Sequence, residues 1–281
     1  MTYLAPTDIS EGDRMTDHWE RALSREPLAR EAGTLIYAAS VDSAKKRFGT
    51  GFFSKVVDRV YADHDRSHLV RRKLDGLYRQ LAGPEGLGLN FGSGRSPRRD
   101  RIVNLDVYRS ESVDVVYDGV EIPFKNATFD LIVSQEVFEH IREPAAALEE
   151  VARVAKAGAV MFLQLPFIIG YHSKPDDFWR FTKVGIEHFV QSGGHFELIE
   201  TGIAVGHGTA LHRILVEFMA TTFSALSLRL YRPAKLAAAV GFYWLKLFDY
   251  LTPYCKERDR IPGGYSVIAR RSEKTDHSSA S

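Results

Sequence analysis

The fold is decided by Leu87-Gly88-Leu89-Asn90-Phe91-Gly92-Ser93-Gly94 and the three runs after it: Ile102-Val103-Asn104-Leu105-Asp106, Val113-Asp114-Val115-Val116-Tyr117-Asp118 and Phe129-Asp130-Leu131-Ile132-Val133-Ser134. Short, nearly continuous apolar runs are what strands buried on both faces look like. Each run ends on a polar residue or a glycine turn, and ligands of parallel sheets bind outside the carboxyl ends of the strands. The glycine turn lets the backbone approach a ligand closely, because no side chain intervenes. Asp106 closes the second run, where an acid can accept hydrogen bonds from a ribose diol. Together these features predict a nucleoside-binding α/β sheet of Rossmann-like type. Two features depart from the full pattern. Gly92-Ser93-Gly94-Arg95-Ser96 lacks the third glycine of G-x-G-x-x-G, and only nine residues lie between Gly92 and Ile102, fewer than a helical crossover needs. A Gly-Ser-Gly hairpin in an antiparallel sheet is therefore a competing reading of this stretch alone.

The order of the motifs from Asn90 to Gly158 resembles the class I S-adenosylmethionine-dependent methyltransferases, in the branch called methyltransferase type 11. Asn90-Phe91-Gly92-Ser93-Gly94 matches the family's acid-x-Gly-x-Gly motif, with Asn90 in place of the usual acid. Asp106 matches the acid after the second strand, and Asp118 through Asp130 is similar to the aspartate-to-"lPF…sFD" segment. Ser134-Gln135-Glu136-Val137-Phe138-Glu139-His140 resembles the "S-x-x-V-x-E-H" signature, and Lys156-Ala157-Gly158 stands where Lys-Pro-Gly-Gly is usual. The likeness covers about residues 85 to 205 and a closing strand near 265 to 270. It implies a seven-stranded, mostly parallel sheet and S-adenosylmethionine as cofactor. It implies that Asn90, Phe91, Gly92 and Gly94 lie against the methionine part, Asp106 on the ribose, Asp118, Gly119 and Val120 at the adenine, and Ser134 beside them. With Asn90, one contact to the cofactor's ammonium becomes neutral, and hydrogen bonds between charged partners are the stronger kind.

Outside this segment the chain divides into a helical N-terminal extension (1–82), the domain proper (83–271) with a helical insertion (206–262), and a disordered polar tail (272–281). Val70, Leu74, Leu77, Tyr78 and Leu81 form one helical stripe that Gly83-Pro84 ends. Pro144 opens a helix that Gly158 closes, and Val160–Leu165 is the fifth strand. Thr182 caps the helix Lys183–Gln191, Phe196–Val205 is the sixth strand and Tyr265–Ala269 the last. Within the insertion Leu236, Val240, Tyr243, Leu247 and Leu251 recur at helical spacing, with Trp244 and Phe248 widening the apolar face. Lys and Arg outnumber Asp and Glu there. Two accounts stand: helices that cover the site or build a homodimer, or an interfacial helix making peripheral contact with an anionic membrane. A net charge of +1 gives no global field for nucleic acid. The single cysteine, Cys255, and the lack of a secretory start point to the cytoplasm.

Chemistry concentrates in two places. Glu136, Glu139 and His140 would share one face of a helix beginning after Ser134, and their spacing resembles the metal-binding pattern of ubiquinone-pathway O-methyltransferases. Two carboxylates suit Mg²⁺, and a histidine suits Mn²⁺ equally; alternatively His140 acts alone as base. The structural alternative is that the acids favour a helix start and His140 caps a turn. The second place, His172 to Thr182, is similar to the "D-aromatic-aromatic-R-F-T" stretch of bacterial sugar and polysaccharide methyltransferases. There His172 is a further catalytic candidate, and Asp177, Trp179 and Arg180 would meet a small-molecule or glycan acceptor. Arg180 paired with Asp176 or Asp177 is the structural alternative. Arg95, Arg98, Arg99 and Arg101 cluster beside the glycine turn but have no phosphate to hold in S-adenosylmethionine. The expected activity is O-methylation of a sugar, glycan or small metabolite. N-methylation of an amino sugar, a nicotinamide-dependent oxidoreductase and a non-catalytic scaffold are the alternatives.

Overall fold

The computed structural model describes residues 22–24, 67–81, 86–172 and 176–273. Most of the expected N-terminal extension, Gly83-Pro84 and the last eight residues lie outside them. Seven strands form one sheet in the order β3-β2-β1-β4-β5-β7-β6. They are β1 (Gly88–Phe91), β2 (Ile102–Asp106), β3 (Val115–Val116), β4 (Phe129–Gln135), β5 (Ala155–Pro166), β6 (Phe196–Val205) and β7 (Gly264–Arg271). β1 pairs in parallel with both β2 and β4, and only β7 runs antiparallel to its neighbours. The antiparallel hairpin reading is thereby overturned.

Helices cover both faces, as a sheet apolar on both sides requires. On one face α1 (His68–Gln80) lays Val70, Leu74 and Leu77 against Leu131, Val133 and Phe162. On the other, α2 (Pro144–Val154) and α3 (Lys183–Gln191) pack Leu148, Val151, Ile186 and Phe189 over Leu89, Phe91, Ile132 and Phe138. Alternate residues of β4 go to opposite clusters, because successive strand side chains point to opposite faces.

No helix joins β1 to β2. The crossover is a turn held by Gly92 and Ser93 N–H groups donating to Leu105 O at 2.9 and 3.0 Å. The arginine cluster braces it: Arg98 pairs with Asp114 at 3.1 Å, and Arg99 lies over the Tyr78 ring at 4.4 Å. Three boundaries differ from the sequence reading. α2 ends at Val154, not Gly158, because Ala155 pairs with Phe129 and the Ala127 and Thr128 N–H groups capture the Arg153 and Val154 carbonyls. Gly158 instead takes a positive φ of 77° inside β5. β3 shrinks to two residues.

The insertion contains α4 (His207–Ser224), α5 (Leu228–Gly241) and two tight 3-10 segments, Tyr243–Tyr250 and Thr252–Tyr254. Among the described residues, no helix is long and apolar enough to cross a membrane.

Candidate active site

The strand order reverses direction between β1 and β4, and the crevice of an open α/β sheet forms at such a switch point. The glycine turn leaves β1 there. Gly92 and Gly94 adopt φ of 70° and 56°. A Cβ on Gly94 would meet nothing within 4 Å, so this backbone faces open space. Asp106 Oδ2 accepts from Gly94 N–H at 2.7 Å and Oδ1 from Tyr108 N–H at 2.9 Å. Burial raises the Asp106 carboxyl, against the lowering effect of the Tyr108, Gly94 and Val107 backbone N–H groups. Each oxygen keeps a further lone pair that a ribose hydroxyl can use.

Asn90 is buried, and its Nδ2 donates to Asn104 Oδ1 at 2.9 Å. Asn104, which the sequence reading did not single out, also donates to the Ser96 and Ser112 carbonyls and so ties the turn to β2. Asp118 Oδ1 accepts from the Val120 and Glu121 N–H groups, shaping a turn with Gly119 at φ 83° and Val120 largely exposed. The Phe91 ring packs into the core against Tyr117 and Phe138, behind the turn. Ser134 Oγ at the end of β4 and Ser93 Oγ in the turn are buried without a hydrogen-bond partner. Two orphaned hydroxyls and an open glycine backbone, flanked by Asp106 and Asp118, fit a nucleoside cofactor such as S-adenosylmethionine.

The second cluster lies beyond β4. The expected helix after Ser134 does not form. β4 continues through Gln135, Glu136 turns at φ 56°, and Phe138–His140 is a single 3-10 turn. Glu136 consequently does not share a helical face with Glu139 and His140. Its Oε1 accepts from Gln164 Nε2 at 2.9 Å. Gln164 is fully buried on β5, a polar residue inside the apolar run Val160–Leu165, and that interruption was its only signal in the sequence.

What converges instead is Glu139, His140 and His172, one ligand-capable atom of each lying within 4.8 Å of the others. Glu139 is 0 % exposed, and neither of its carboxylate oxygens has a hydrogen-bond partner. Its nearest cation-forming group is His140 Nε2, 3.7 Å away. Burial first, then the charge of Glu136, hold the Glu139 carboxyl well above the usual range. Burial likewise lowers His172, favouring the neutral ring. His140 Nδ1 lies 2.7 Å from the Asp176 carbonyl, which can only accept. Nδ1 therefore carries a proton, and Nε2 faces Glu139. A histidine fixed in this way by a backbone carbonyl is typical of metal-ligating rings. The donor set, one carboxyl group and two imidazoles, fits a divalent ion.

The loop after β5 is docked onto this turn. Phe178 N–H donates to Glu139 O at 2.8 Å, and Trp179 Nε1 donates to Ile141 O at 2.9 Å. Arg180 makes paired bonds of 2.5 Å to both Asp177 oxygens and a third, at 3.2 Å, to Gly170 O. Asp177 also accepts from His172 N–H at 2.9 Å. Burial works to raise the Asp177 carboxyl, but the Arg180 and His172 contacts outweigh it and hold it below the usual carboxylate range. Asp177 and Arg180, expected at the acceptor, pair with each other, and Asp177 also holds the His172 backbone. Trp179 is exposed.

Residues 96–163 match the family model described as a methyltransferase domain. Among solved structures, the chain is similar to the 1,6-didemethyltoxoflavin-N1-methyltransferase of Burkholderia thailandensis, at 12% identity over 88% of this chain and 94% of that one, with a TM-score of 0.46. It is also similar to phosphoethanolamine N-methyltransferase 2 of Haemonchus contortus, at 13% identity over 86% and 59% of the two chains, again with a TM-score of 0.46. No curated protein matches the chain. From Ser96 beside the glycine turn to Leu163 in β5, within a Rossmann-like α/β fold, this chain matches a methyltransferase domain.

Proposed function

We propose that this protein is an S-adenosylmethionine-dependent methyltransferase acting on a hydroxyl group of a sugar, glycan or related small metabolite. The observation that carries the reading is the buried, unpartnered carboxyl of Glu139 held beside His140 and His172, past the end of the strand that also carries Ser134. When bound, the cofactor supplies a methyl group activated on a sulfonium. The chain supplies the rest. Gly92 and Gly94 give close backbone approach, Asp106 accepts from the ribose, and Asp118 with Val120 flanks the adenine. An aliphatic hydroxyl must lose its proton as its oxygen bonds to the methyl carbon and the carbon–sulfur bond breaks. His140 or His172 takes that proton, a contribution of about 10²–10⁴ in rate. Glu139, His140 and His172 are the residues that would hold Mg²⁺ or Mn²⁺, whose charge would stabilise the alkoxide. Trp179 offers a ring face on which a sugar can stack.

The test is transfer of labelled methyl from S-adenosylmethionine to a fractionated metabolite and glycan extract. Transfer to a hydroxyl is expected, with loss of about 100-fold or more in His140→Ala, His172→Ala or Glu139→Gln. If a metal serves, chelation abolishes transfer and Mg²⁺ or Mn²⁺ restores it. If histidine alone serves, chelation changes nothing. Wild-type turnover in all three variants would refute the assignment of this cluster, and transfer to an amine would redirect the reading to N-methylation.

A further inference from the structure

We infer that the outward face of residues 243–254 docks on an anionic phospholipid surface. This segment is folded with its polar side inward. Asp249 reaches back to the start of α4, where its carboxylate accepts from Gly208 N–H at 2.8 Å, Thr209 N–H at 3.1 Å and the Thr209 hydroxyl at 2.6 Å. Thr252 is buried with its Oγ1 2.9 Å from His207 Nδ1, and Leu245 is buried beside them. Trp244, Leu247, Phe248 and Leu251 turn the other way, exposed by 54%, 65%, 42% and 52%. Tyr254 joins them at 84%. The Trp244 and Phe248 ring centres lie 6.0 Å apart, and large apolar side chains exposed side by side mark an interaction site.

The composition of the rim selects the occupant. Lys246 Nζ lies 4.9 Å from the Tyr243 ring centre, and Arg258 donates to Pro253 O at 3.1 Å, next to Tyr254. Glu257 and Asp259 are each held by a cation, Arg260 at 2.7 Å and Lys183 at 3.0 Å, so Lys256 and Arg258 set the sign of this edge. A basic rim around Trp, Tyr, Leu and Phe complements anionic headgroups over acyl chains. A two-fold contact with a second copy would set this basic rim against itself. The helix on which Asp249 anchors this segment, α4, also touches the acceptor loop: Glu217 Cγ lies 3.4 Å from the position of a Cβ on Gly170, and the Gly170 carbonyl holds Arg180. The inference does not depend on the methyl-transfer reading.

The experiment is co-sedimentation of the full chain with phosphatidylcholine vesicles with and without phosphatidylglycerol. Binding is expected only to the anionic vesicles and should weaken as salt shortens the Debye length. Trp244→Ser with Leu247→Ser should cut binding by about tenfold or more, since both side chains would leave acyl contact. Lys256→Glu with Arg258→Glu should also cut it by about tenfold or more. All four residues are at the surface, so circular dichroism should show both double variants folded. Failure of the intact chain to bind anionic vesicles overturns the inference, as does undiminished binding by both variants. A dimer, seen by light scattering, that Trp244→Ser with Leu247→Ser dissolves while vesicles stay unbound would likewise overturn it and assign the face to a second copy.

Discussion

Gly92 has two separate reasons to carry no side chain. Its φ of 70° lies in the left-handed region, and a Cβ there would stand 2.6 Å from one Val137 methyl and closer still to the other. Gly92→Ala should therefore lower stability by about 1–3 kcal/mol from backbone strain and overpacking together. Gly92→Ala combined with Val137→Ala should recover only the steric share, measured as a double-mutant cycle in denaturant unfolding. Full recovery would mean that the backbone conformation costs nothing. The first reason was legible in the sequence, since a glycine after a strand announces a turn. The second was not, because Val137 stands 45 positions away and only the β1–β4 pairing brings the two together. Glu139, His140 and His172 follow the same logic. Each residue type invited chemistry, but their meeting depends on Phe178 and Trp179 bonding to the Glu139 carbonyl, which no spacing rule encodes.

Among the elements, α4 has a distant cap. Gly206, at the N-cap position, offers no side chain, and Asp249 supplies the missing acceptor from the segment after α5. Asp249→Ala should cost about 0.5–2 kcal/mol, the usual worth of an N-cap acid. Amide exchange should accelerate in His207–Leu211 while α2 and α3 keep their protection. An unchanged exchange pattern would show that the cap is redundant. The strands were legible as elements because buried parallel strands must be apolar, and β1, β2 and β4 fall where those runs lie. Ends were less legible: α2 stops early because a strand pairing claims Ala155, and that competition is tertiary. The apolar stripe from Val240 to Leu251 was legible as a stripe. Periodicity identifies a face but not its direction, and here that face turns outward.

At the scale of the whole molecule, the candidate site joins the ends of five strands. Asn90 and the glycine turn come from β1, Asp106 from β2, Asp118 from the loop after β3, Ser134 and Glu139 from β4 and the turn beyond it, and His172 from the loop after β5. A ligand in that crevice would bridge segments from all five strand ends, so binding should stabilise the fold as a unit. At a ligand concentration about 100 times its Kd the gain is about 2.7 kcal/mol. For a domain of this size that corresponds to a rise in Tm of roughly 5–10 °C. S-adenosylhomocysteine should produce this shift in differential scanning calorimetry, and NAD should produce none, because the Asp118 turn and the Glu139–His140 pair have no task in a nicotinamide site. Asp106→Ala should shrink the shift, since each charge-assisted bond to the ribose is worth about 1.5–3 kcal/mol. The same variant also removes the acceptor for Gly94 N–H, so its own melting temperature should fall even without ligand. The informative quantity is accordingly the ligand-induced shift within each variant. A shift with NAD and none with S-adenosylhomocysteine would assign the crevice to a nicotinamide cofactor. An equal S-adenosylhomocysteine shift in Asp106→Ala and wild type would place the cofactor's ribose somewhere other than Asp106.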